Sequence, residues 1–66
     1  MNEVALKEVK AQEEVCRKYA KKYAHQRERC QLHHTDRNWL ILANIAQKWQ
    51  DETDILQIKY AKYRQD

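Results

Sequence analysis

Residues 30–39 read Cys30-Gln31-Leu32-His33-His34-Thr35-Asp36-Arg37-Asn38-Trp39, and this stretch decides the fold. A periodic apolar pattern enters it from one side and leaves in a different phase on the other. Before it, Ala5, Val9, Gln12, Cys16, Tyr19, Tyr23, Gln26 and Cys30 follow alternating steps of four and three, with Leu6 and Ala20 beside them. After it, Trp39, Leu42, Ala46, Trp49, Thr53, Leu56, Tyr60 and Tyr63 do the same. Each set is the seam of a packed helix. Heptads continued from Cys30 reach Arg37, Asn44 and Asp51, all polar, whereas the second seam runs through Trp39, Ala46 and Thr53, two residues later. One continuous coiled coil keeps its phase, so the spacing predicts a break.

Local chemistry places that break in residues 33–38, which have middling to poor helix propensity. Thr35 suits an N-cap, and Asp36 then falls in a first turn, where a negative charge suits the helix dipole. Arg27, Arg29, His33 and His34 suit the opposite end of the preceding helix. The expectation is a single domain over residues 1–66, with a helix over about 2–32, a turn over about 33–35 and a second helix over about 36–64. With no Gly for a left-handed C-cap the turn is weakly signalled, so one long, domain-swapped helix is the competing reading.

The composition agrees with an all-α fold, an antiparallel two-helix hairpin. Gly and Pro are both absent, while sheets need turns rich in them. Charged residues form 35 % of the chain, interspersed with apolar ones in period. No apolar run approaches the roughly 20 residues that span a bilayer. The start, Met1-Asn2-Glu3-Val4, lacks the basic head and apolar stretch of a signal peptide, so the expected location is cytoplasmic, with Cys16 and Cys30 reduced.

An antiparallel pair keeps a constant sum of partner numbers. Folding about His34 matches Cys30 with Trp39, Tyr23 with Ala46, Cys16 with Thr53 and Val9 with Tyr60, and brings Tyr19 near Trp49. Large side chains then mostly meet small ones. Two helices do not enclose a core, and a chain of 66 residues is marginal alone. The second helix also has surplus apolar residues: Ile41 and Ile45 flank its seam, with Leu40, Ile55 and Ile58 farther round. Two hairpins stacked as a four-helix bundle would cover most of them, so a homodimer is expected. In length, loop position and heptad layout the chain resembles the Rop-type helical-hairpin dimers of plasmids and the small helical accessory proteins of phages. Trp and Tyr stand here where that family has small and aliphatic core layers. The resemblance implies a dimeric regulator and transfers no functional residue.

Two surfaces are candidate binding sites. Ile41, Ile45, Trp49, Ile55, Leu56, Tyr60 and Tyr63 form a candidate oligomer or protein-partner interface, with Tyr60 and Tyr63 as anchors near the C-terminus. Lys18, Lys21, Lys22, His25 and Arg29 share a solvent-facing side of the first helix, extended by Arg17 and Arg27. Residues 17–34 carry six basic residues against Glu28, a local +5, while residues 1–16 sum to −2 and residues 35–66 balance. Such a stripe holds phosphates through counterion release, or is simply the charged outer face of an amphipathic helix. It has no aromatic residue to stack bases, and the net charge is only +3. The leading expectation is therefore a regulatory or adaptor protein that binds a protein partner, with nucleic acid as the alternative.

Other chemistry is poorly supported. Cys30, His33 and His34 share a helix face at zinc-ligand spacing, with Asp36 near, but Cys30 belongs to the seam and no CxxC pair exists, so no metal is expected. Cys16 and Cys30 are fourteen residues apart on one helix, about 21 Å, which excludes a bridge between them. The chain has no Ser and no glycine loop, and a two-helix hairpin offers no deep pocket. No enzymatic activity, cofactor, small-molecule substrate or membrane association is expected.

Overall fold

The computed structural model describes residues 3–65. The expected start of the first helix at residue 2 lies outside them. Two helices, α1 (Glu3–Leu32) and α2 (Asp36–Arg64), pack against each other as an antiparallel hairpin 49 × 14 × 11 Å in extent. None of the described residues forms a strand.

The turn is built without a left-handed residue, since no described residue has positive φ. His33 N–H still donates to Arg29 O (2.8 Å) as α1 ends, and Thr35 N–H donates to His33 O (2.9 Å). Thr35 is extended (φ −110°, ψ 150°) and caps α2, its Oγ1 accepting from Asn38 N–H at 3.2 Å. Asn38 Nδ2 reaches back to His33 O at 3.0 Å. A hydroxyl cap and one amide side chain thus satisfy groups that a glycine turn would otherwise serve.

The α1 seam is the one expected. Ala5, Val9, Gln12, Gln26 and Cys30 are buried, and Cys16, Tyr19 and Tyr23 are half-buried between them. Both glutamines are only 6 % exposed, and each donates across the interface. Gln12 Nε2 bonds Glu52 O (2.8 Å) and the Glu52 carboxylate, and Gln26 Nε2 bonds Asn38 O (3.0 Å). Thr53, the polar member of the α2 seam, satisfies its hydroxyl on Trp49 O at 2.8 Å. Among the described residues no buried side-chain polar atom lacks a partner.

The α2 seam departs from expectation in two places. Asn38, not Trp39, faces α1, and Trp39 is left 46 % exposed with its ring 6.3 Å from that of His34. The turn network fixes Asn38 inward, which rotates Trp39 about 100° to the side. Trp49 stacks on Tyr23 (5.5 Å between centroids, 47° between planes) and not on Tyr19. Helical side chains lean toward their own N-terminus. In an antiparallel pair Tyr23 leans toward the open end and Trp49 toward the loop, so their rings converge from different Cα levels. Pairing by residue number alone ignores that lean.

Candidate interaction surfaces

Two grooves follow the line where α1 meets α2, one on each side. The first, of about 420 Å³, is lined by Tyr23, Ala46, Trp49, Gln50 and Thr53, and so includes the Tyr23–Trp49 ring pair. The second, of about 240 Å³, is lined by Tyr19, Lys22, Ile41, Asn44, Ile45 and Lys48. Their α2 residues differ by roughly 150° of helical rotation, which puts the grooves on opposite sides of the seam. They differ in charge as well as place. The first has no charged side chain in its lining, whereas a lysine from each helix borders the second.

The expected partner surface is divided by this geometry. Ile41 and Ile45 come together in the lysine-bordered groove, and Trp49 lines the other. Ile55 is exposed, while Leu56, Tyr60 and Tyr63 are half-buried along the seam. The Tyr60 hydroxyl donates to Glu13 Oε1 at 2.7 Å. That bond, then partial desolvation and the nearby Glu13 charge, raise the Tyr60 pKa above its ordinary value of 10.0, with Arg64 opposing. Tyr60 therefore helps close the open end of the hairpin.

The expected basic face is exposed, with two of its members engaged within α1. Arg17 pairs with Glu14 Oε2 (3.1 Å) and Glu13 Oε2 (3.8 Å), so its charge is offset locally. Lys22 Nζ sits 5.3 Å from the centre of the Tyr19 ring and borders the second groove. Lys18, Lys21, His25 and Arg29 are exposed and make no ion pair among the described residues. Lys18, Lys22, His25 and Arg29 are four, three and four residues apart, so they share one face of α1, and of these Lys22 lines the groove.

Lys48, Asn44 and Tyr19 complete the second groove and were not among the expected site residues. Periodicity within one helix does not reveal which side chains of the other helix stand beside it. Cys30 is fully buried, and Cys16 is half-buried; neither is bridged. Among the described residues no three His, Cys, Asp or Glu side chains converge as metal ligands. No helix among them is long and apolar enough to cross a membrane. Comparison with protein-family models, curated proteins and solved structures finds no match for the chain.

Proposed function

We propose that the chain is a small, non-enzymatic regulatory or adaptor protein of the cytoplasm that works as a dimer of helical hairpins and holds a protein partner. One observation carries this reading. Of the 29 residues of α2, only Leu42 is buried, while Trp39, Leu40, Ile41, Ile55 and Ile58 are exposed. Apolar surface of that extent marks association. Stacking two hairpins as a four-helix bundle covers one side of each and leaves the other for a partner.

Sedimentation equilibrium tests the dimer, with twice the 8.1 kDa chain mass as the expected result. A thiol-reactive probe on Ile41→Cys then tests the free side. Modification of the dimer as fast as at Ile58→Cys supports an open partner groove. Complete protection of Ile41→Cys by dimerisation removes the basis for a partner there.

A second reading rests on the unpaired stripe of Lys18, Lys21 and Arg29 beside Lys22. It takes duplex DNA or RNA as the partner, bound through phosphates. Binding near 50 mM salt that weakens steeply by about 200 mM, and is abolished by changing Lys18, Lys21 and Lys22 to Glu, favours this reading. Absence of binding near 50 mM salt excludes it.

A further inference from the structure

We infer that the second copy of this chain packs on the uncharged groove of Tyr23, Ala46, Trp49, Gln50 and Thr53, with the two hairpins antiparallel, so that each loop lies beside its partner's open end. The inference rests on the dimer proposed above and adds its face and its orientation.

Area gives the first argument. The chain exposes 5504 Å², against about 4,500 Å² for a compact monomer of its mass. The excess, about 1,000 Å², is near the roughly 800 Å² that each partner contributes to an ordinary stable interface. One long side of the hairpin is enough to supply that area.

Charge selects the side. In a two-fold dimer a surface meets itself. Self-packing on the second groove sets Lys22 and Lys48 against their own copies, and burying like charges together is costly. Self-packing on the first groove opposes no charged lining residue. Trp39, seven residues before Ala46 and therefore on the same helix face, brings an exposed indole to that side.

Charge also selects the orientation. Divided at the midpoints of its helices, the hairpin is polarised along its length. Residues 18–50, the loop half, carry seven Lys and Arg against Glu28 and Asp36, net +5. Residues 1–17 and 51–66 carry six against eight acidic residues, net −2. Parallel packing lays +5 beside +5. Antiparallel packing lays each +5 half beside a −2 half and places the two-fold axis at mid-height, level with Gln50, the central residue of α2.

Gln50 and Asn44 are both exposed, so a lysine at either leaves the hairpin core untouched, which circular dichroism checks. Sedimentation over a dilution series from about 100 µM down through the dissociation midpoint of the parent dimer reads the Kd. Gln50→Lys brings two like charges to the axis and is expected to raise the dimer Kd by about tenfold or more. Asn44→Lys, in the opposite groove, is expected to leave it within about twofold. For orientation, a long-armed bismaleimide is expected to join chains of the double variant His34→Cys with Lys62→Cys. It should add nothing with His34→Cys alone, compared with the parent chain and its native Cys16 and Cys30.

A monomer in the parent chain overturns the dimer and this inference together. A dimer weakened by Asn44→Lys, or equally by both changes, or by neither, keeps the dimer and overturns the face. Cross-linking through His34→Cys alone, or failure of the double variant to cross-link, overturns the orientation.

Discussion

Gln26 and Gln12 stand two heptads apart on α1 and make the same contact in different surroundings. Each sends its amide across the seam to a backbone carbonyl of α2, Gln26 to Asn38 and Gln12 to Glu52. The residue numbers of the two pairs have the same total, so one register serves both. Around Gln26 every partner is neutral: Asn38 O, Asn38 Oδ1 at 3.5 Å, and Cys30 Sγ at 4.0 Å. Around Gln12 the partners are charged, the Glu52 carboxylate on one side and Lys59 Nζ, 3.4 Å from its Oε1, on the other. The loop-end pair is 12 residues apart in sequence and the open-end pair is 40. The longer closure costs about 1 kcal/mol more in chain entropy. The loop end is thus held by local, neutral bonds, and the open end by long-range contacts among charged groups that water and salt reach.

Truncating the glutamines should expose that difference. Gln26→Ala removes a buried amide beside the fully buried Cys30 and should cost about 2 kcal/mol. Gln12→Ala should cost about 1 kcal/mol, because Glu52 and Lys59 are partly exposed and turn to water. Urea unfolding at one fixed protein concentration measures both. Equal costs, or the reverse order, would mean that the two ends are held alike. Thr35→Ala removes the cap that orients Asn38 and should also cost about 1 kcal/mol. Its local signature is faster amide exchange at Asn38 with no change near Gln12. In 1 M salt the pattern should invert, with amides near Gln12 exchanging faster and those near Gln26 unaffected.

The particular residues show how far the sequence could be read. The phase slip between Cys30 and Trp39 announced two helices, and the Thr35–Asp36 pair announced where a helix could begin. The eight α1 seam positions also followed from spacing alone, because an inward stripe needs only one helix to define it. Gln12 and Gln26 are the two amide side chains in that stripe. Their value depends on the α2 carbonyls opposite, which no pattern within α1 encodes. Trp39 misled because hydrophobicity placed it inward while hydrogen bonding at the turn gave the position to Asn38. The grooves were hidden for the same reason as the glutamine contacts: Lys22 and Lys48 become neighbours only when the helices are set side by side. Spacing therefore located the candidate residues on their helices but did not separate the two sides of the hairpin.

The smallest expected effect concerns Tyr60, and it sharpens the contrast because it acts only at the open end. The phenol donates to Glu13 Oε1, and Glu13 Oε2 faces Arg17. Folding raises the Tyr60 pKa, chiefly through that hydrogen bond, so the folded state favours the protonated phenol. A group raised in this way contributes its stability fully below its ordinary value of 10.0, and loses it as pH climbs through the higher folded value. Above that range a phenolate would face a carboxylate, and the donor is gone. Chemical denaturation between pH 8 and about 11 should show a steeper alkaline loss of stability in the parent chain than in Tyr60→Phe. Comparing the two removes the contribution of lysines that titrate in the same range. Amide exchange should place the difference near Glu13 and Tyr60, not near Gln26. An alkaline loss of equal slope in both proteins would show that the Tyr60–Glu13 bond does not help hold the open end.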